Sequence, residues 1–202
     1  MSKTAVITDV HGRLDPLQRL LDRVGDAKII CLGDMVDRGT QSSEVVAVMR
    51  TLHEAGAVVL RGNHEDMVCA DDPRLWLSNG GAPTLLSYRH PLTGALNVEA
   101  MQGDVVWFRS LPRIHRDAHR VYVHAGVVPN LSLAEQPESI TQWMRYPNGM
   151  DVGWQGLHVV HGHSVGLFQG QHRTCLDAGM GAMCCGLFDD DVAGGPVELL
   201  WA

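Results

Sequence analysis

Ile29-Ile30-Cys31-Leu32-Gly33-Asp34-Met35-Val36-Asp37-Arg38-Gly39 is the stretch that decides the fold. It reads as a short apolar strand that breaks at a glycine and gives way to two carboxylates and an arginine. The layout recurs on both sides of it. Upstream, Ala5-Val6-Ile7-Thr8 runs into Asp9 and His11; downstream, Val58-Val59-Leu60-Arg61-Gly62 runs into Asn63 and His64. Between the strands, Leu14, Leu17, Leu20, Leu21 and Val24 recur at helical spacing before Gly25. Val45, Val46, Val48, Met49 and Leu52 do the same before Gly56. This β-α-β-α-β order predicts a parallel sheet with right-handed crossovers.

Beyond residue 70 the pattern loosens. Residues 75–88, with Trp76, the Gly80-Gly81 pair and Pro83, predict short helices and loops. A helix is expected over 98–111 and another over 138–144. Strands are expected over 120–124, 157–161, 173–176, 183–189 and 197–201. No repeat, low-complexity tract or linker interrupts the chain, so residues 1–202 are expected to form a single domain. The class is α/β: a parallel start joined to later mixed strands, satisfied by two packed sheets with helices outside.

Two more strands end in histidines. Val121-Tyr122-Val123 runs into His124, and the strand over 157–160 into His161 and His163. Ligands in open α/β sheets bind outside the carboxyl ends of strands, so five such ends can deliver carboxylate, imidazole and amide groups to one crevice. A lone Asp or His after a strand is usually a turn former; the joint pattern is what points to metal. The donor set is oxygen and nitrogen without thiolate, which suits manganese, iron or zinc. Asp9 and His11, two apart on an extended segment, can grip one ion from one side. Asn63, His124 and His163 can hold a second, with Asp34 bridging. Two ions about 3.5–4 Å apart form the clamp used for in-line phosphoryl displacement, activating a water as hydroxide.

Charge and composition narrow the rest. Sixteen basic against 23 acidic residues give a net charge of −7, which argues against a nucleic-acid surface. Bound cations would still make the pocket attractive to phosphate. Five cysteines, an odd count with an adjacent pair, do not form a disulfide framework. No apolar run approaches the roughly 20 residues of a membrane span, and the chain enters its first strand without a signal-peptide layout. A soluble, cytoplasmic protein is expected, with no membrane partner.

Asp9-Val10-His11-Gly12, Gly33-Asp34-Met35-Val36-Asp37-Arg38-Gly39 and Gly62-Asn63-His64-Glu65, in that order, resemble the signature motifs of the phosphoprotein phosphatase family of calcineurin-like metallophosphoesterases. His124-Ala125-Gly126 and Gly162-His163-Ser164 resemble its two later histidine motifs. Trp76-Leu77-Ser78-Asn79-Gly80-Gly81 with Thr84-Leu85 and Ser87-Tyr88 is similar to the small bacterial and bacteriophage members. The resemblance implies a β-sandwich of two mixed sheets flanked by helices, with two divalent metal ions, manganese first and iron or zinc as alternatives. It implies Asp9, His11, Asp34, Asn63, His124 and His163 as metal ligands, and His64 as the general acid oriented by Asp37. Arg38, Asn63 and, on a looser match, Arg145 would bind the substrate phosphate. The implied reaction is hydrolysis of phosphate monoesters, with a phosphorylated protein or a small phosphate ester as substrate and serine/threonine phosphatase activity first. Symmetrical dinucleoside tetraphosphate hydrolysis is the alternative, set second because those relatives are longer. An inactive phosphate-binding module would have no use for His64. Two positions depart from the pattern: Thr8 and Ala125 stand where relatives usually carry glycine.

Overall fold

The computed structural model describes residues 2–202. Strands β1 (Lys3–Ile7), β2 (Lys28–Cys31) and β3 (Val58–Val59) alternate with helices α1 (Leu14–Val24) and α2 (Ser42–Glu54). They pair in parallel, in the order the sequence predicts. The antiparallel strands β9 (Cys184–Asp189) and β10 (Glu198–Trp201) complete the first sheet, in the order β10-β9-β1-β2-β3. The second sheet runs β4-β5-β6-β8-β7, from β4 (Ile114–Arg116), β5 (Arg120–Val123), β6 (His158–His161), β7 (Phe168–Gln169) and β8 (Arg173–Cys175). Its central strands β5, β6 and β8 are parallel and its two edges antiparallel, so both sheets are mixed.

Side chains that alternate along these strands enter two different cores, which is why the strands read as continuous apolar runs. Ala5 and Ile7 of β1 and Cys31 of β2 face α1 and α2. Val6, Ile30 and Leu32 point the other way, between the sheets, where they meet Tyr122, Val160 and Phe188. The outer face of the second sheet buries Val121, Val123 and Val159 against Trp154. The sheets therefore pack face to face.

Between β3 and β4 lie α3 (Asn63–Val68), α4 (Arg74–Ser78), α5 (Ala82–Ser87) and α6 (Val98–Ser110); α7 (Glu138–Trp143) follows β5. The sequence reading places every long helix and most strands. It misses β4 and β7, edge strands of three and two residues, too short for any alternation to register. It also misses α3, whose first residues read as metal donors rather than as a helix start. His158, on β6, is buried, its Nε2 2.8 Å from Thr174 Oγ1. No helix among the described residues is long and apolar enough to cross a membrane.

Candidate active site

The carboxyl ends of β1, β2, β3, β5 and β6 open onto one crevice. The backbone there is unusual. Seven non-glycine residues among those described have a positive φ, and six of them line this crevice: Asp9, His11, Asp34, Asp37, Arg38 and His163, between 48° and 73°. Each such residue costs on the order of 1–3 kcal/mol and persists only where its surroundings hold it. Here the hold is backbone pairing between the turns: His11 N donates to Asp34 O at 2.9 Å and Gly12 N to Met35 O at 2.8 Å. Gly62 is fixed by close approach, since a Cβ there would strike the Asp34 carboxylate and backbone.

His124 shows how the donors converge. Its Nδ1 lies 3.0 Å from Leu32 O, so that nitrogen carries the proton and donates it across the two sheets. Burial pushes its pKa down to about 4, so the ring is neutral and Nε2 presents a bare lone pair. That lone pair faces Asn63 Oδ1 at 2.8 Å and Asp34 Oδ1 at 3.4 Å. Asn63 Oδ1 is also 3.0 Å from His163 Nδ1, and burial lowers the His163 pKa to about 3. Asp34, His124 and His163 put ligand atoms within 4.8 Å of one another. A carboxylate, an amide oxygen and two neutral imidazoles crowded together in this way suit a cation; the residues fit the metal that the donor chemistry implies.

The other half of the crevice has the same logic. His11 Nδ1 donates to Val36 O at 2.9 Å, leaving Nε2 as an acceptor 3.6 Å from Asp34 Oδ2 and 3.9 Å from Asp9 Oδ1. Burial takes the His11 pKa down to about 3. His11, Asp34 and His64 also bring ligand atoms within 4.8 Å. Asp9 stands slightly aside: its Oδ2 accepts from Thr8 Oγ1 at 2.6 Å and His163 N at 3.0 Å. Arg38 reaches over this half, with Nη1 2.6 Å from His11 Nε2 and Nη2 3.0 Å from His64 Nε2.

The two aspartates are driven in opposite directions. Burial raises the Asp34 carboxyl well above the usual range, with the Asp9 and Glu65 charges adding to it. Burial presses Asp9 the same way, yet His124, His11 and the Thr8 hydroxyl together hold it below its ordinary value. Asp34 is thus the carboxylate that most needs a positive partner.

Beside the donors, His64 Nδ1 sits 2.6 Å from Asp37 Oδ2, both side chains buried. Arg145 is exposed and reaches the site through charge, as one of the cations that depress His163. His161 points elsewhere: its Nε2 accepts from Arg173 Nη1 at 2.7 Å and its Nδ1 donates to Gly162 O at 2.9 Å.

Three residues have roles at the site that the sequence reading does not assign. Glu65, wholly buried, accepts from the backbone N–H groups of Gly62, Asp34, Met35 and Val36 at 2.7–3.3 Å and so staples the β2 turn to the start of α3. The only signal for it was its place in Gly62-Asn63-His64-Glu65. Thr8 does more than replace a small residue, because its hydroxyl binds the Asp9 carboxylate. Asp177, after β8, is buried, and that burial together with the Asp9 charge pushes its pKa up to about 6. Nothing in its sequence context marked it.

The fold and the crevice define a family. Residues 2–167 match the family of calcineurin-like phosphoesterases, and the chain belongs to it. Among curated relatives, the symmetrical bis(5'-nucleosyl)-tetraphosphatase of Azotobacter vinelandii is 33% identical over 161 residues, 71% of this chain and 53% of that protein. The same enzyme of Methylococcus capsulatus is 35% identical over 129 residues, 61% of this chain and 42% of the relative. Serine/threonine-protein phosphatase 1 of Salmonella typhimurium is 30% identical over 173 residues, 77% of this chain and 69% of the relative. The chain spans about half the length of the first two. A crystal structure of a candidate diadenosine tetraphosphatase superposes over all of this chain and 94% of its own, with a TM-score of 0.71 and 24% identity. A cold-active protein tyrosine phosphatase superposes with a TM-score of 0.63 and 19% identity, over all of this chain and 78% of its own. These two likenesses establish the fold.

Proposed function

We propose that the chain is a single catalytic domain that hydrolyses phosphate esters and anhydrides with two divalent cations, and that dinucleoside tetraphosphates are its first substrate class. The observation that carries the hydrolytic reading is the convergence of unprotonated imidazole nitrogens from His11 and His124 with Asn63 Oδ1 on the Asp34 carboxylate. Asp9, His11 and Asp34 would hold one cation; Asp34, Asn63, His124 and His163 the other. When bound, the cations supply Lewis-acid activation of water and neutralise charge that develops on the phosphoryl group.

The chain's own groups do the remaining work. Arg38, whose guanidinium already spans His11 and His64, turns its planar fork toward the phosphate oxygens when the anion arrives. His64 Nε2, which accepts from Arg38 Nη2 before the anion arrives, is freed by that turn to carry the proton that goes to the leaving oxygen. Asp37 accepts from Nδ1 and keeps the ring aimed. Arg145, exposed at the rim, adds positive charge where the rest of the substrate lies.

Substrate order follows the relatives. The motif resemblance by itself puts phosphoproteins first; the first curated relatives are symmetrical tetraphosphatases at 29–35% identity, which supports placing dinucleotides ahead of them. Protein dephosphorylation stays as the second reading, favoured by the Salmonella phosphatase, which is covered over a larger share of its length. The test is turnover of diadenosine tetraphosphate, a phosphoserine peptide and p-nitrophenyl phosphate side by side with manganese. Two ADP per dinucleotide, at a kcat/KM above that of the peptide, is the expected result. Peptide turnover with intact dinucleotide would reverse the order again, and inertness toward all three would end the hydrolytic reading.

A further inference from the structure

Residues 76–84 carry a tryptophan, a double glycine and a threonine in one short segment. In the structure it closes on Asp37. Trp76 Nε1 donates to Asp37 Oδ1 at 2.8 Å and Thr84 Oγ1 donates to the same oxygen at 2.7 Å. Thr84 Oγ1 also accepts from Asp37 N at 2.9 Å and lies 3.0 Å from Ser42 Oγ. A hydroxyl has one hydrogen to give and two lone pairs, so Ser42 donates to Thr84, and Thr84 to Asp37, in one fixed direction. All of these side chains are buried.

The glycines make the closure possible. A Cβ on Gly81 would collide with the Trp76 indole ring, so the ring can cross the start of α5 only over a glycine. Gly80 has φ 99°, and its carbonyl accepts from Arg38 N at 2.9 Å. The segment therefore grips the Asp37–Arg38 turn, in which both residues have positive φ, by side chain and by backbone together.

We propose that Trp76 and Thr84 are positioning residues for the hydrolysis: by saturating Asp37 Oδ1 they leave Oδ2 to His64 alone and set the direction in which His64 delivers its proton. The inference rests on the reading of His64 as proton donor. With either donor gone, the carboxylate can rotate within its pocket to recover a partner, and the 2.6 Å contact to His64 Nδ1 is the first to suffer.

Leaving groups separate this role from simple packing. Phenyl phosphate expels a basic phenolate and needs the acid; 2,4-dinitrophenyl phosphate expels a stable anion and hardly does. Thr84→Val and Trp76→Phe should each lower kcat on phenyl phosphate by roughly tenfold, a part of the 10²–10⁴-fold that general acids supply. On 2,4-dinitrophenyl phosphate kcat should fall by no more than about twofold, and Thr84→Ser should keep both rates. Equal losses on the two esters would overturn the proposal, as would none on phenyl phosphate. A second readout is independent of turnover: the His64 Nδ1 proton, seen by NMR in the full chain without paramagnetic ions and identified by its loss in His64→Gln. It should move in Thr84→Val and Trp76→Phe and stay in Thr84→Ser; an unmoved resonance in both folded variants sinks the clamp. Should the wild type turn over no ester and no dinucleotide, the hydrolytic reading falls, while the resonance still decides the geometry.

Discussion

Leu32 and His124 are joined by a 3.0 Å hydrogen bond from the imidazole Nδ1 to the main-chain carbonyl, although they lie 92 residues apart on different sheets. This one contact ties the end of β2 to the end of β5 and fixes which histidine nitrogen is free. The strand ends of the first sheet supply Asp9, His11, Asp34 and Asn63 and those of the second supply His124 and His163, so the crevice exists only where the two sheets are held in register.

Asp34 sits at the junction, and Asp34→Asn is the substitution that separates metal binding from folding. Because burial, Asp9 and Glu65 together favour the protonated carboxyl, asparagine mimics the state that the metal-free protein prefers. The melting temperature in chelator should stay within a few degrees of wild type or rise. The increase that manganese gives the wild type should shrink, since ligand stabilisation scales with affinity for the native state. Differential scanning calorimetry with and without metal checks both halves; a variant that retains the full metal response would remove Asp34 from the bridge.

His64→Asn should lower kcat on phenyl phosphate roughly 10²–10⁴-fold while both metal equivalents remain. Elemental analysis alongside kinetics tests the division of labour, because His64 also lies within reach of His11 and Asp34. Loss of a metal equivalent would make it a ligand instead.

Glu65→Gln should destabilise the protein by on the order of 2–4 kcal/mol. Glutamine keeps one acceptor oxygen, whereas both carboxylate oxygens accept from the four backbone N–H groups. Urea denaturation measures the loss. An unchanged midpoint would mean that the staple contributes little.

Asp177 carries a pH signature. Its folded pKa, raised to about 6 from 3.8 by burial and by Asp9, means that the native state holds a proton that the unfolded chain has already released. Stability therefore falls as pH rises from about 4 to about 6, and the full cost is present above 6. Asp177→Asn should raise the melting temperature in chelator at pH 7.5, with the advantage fading to nothing near pH 4. An advantage independent of pH would assign the effect to packing.

The order of strands and helices was written in the sequence because burial imposes periodicity: 3.6 along α1 and α2, and unbroken apolar runs where β1, β2 and β5 are covered on both faces. The types of donor at the strand ends were legible for the same local reason, since each follows its strand within a few residues. What only the tertiary structure decided are contacts that no period records. Asn63 meets His163 across 100 residues, Glu65 reaches back about 30 to gather the β2 turn, and Thr84 reaches Asp37 across 47. The six positive-φ residues belong to this second group. Nothing in the identity of Asp, His or Arg demands a left-handed backbone, and the strain is tolerated because two packed sheets and their bridging hydrogen bonds leave those residues no other place to be.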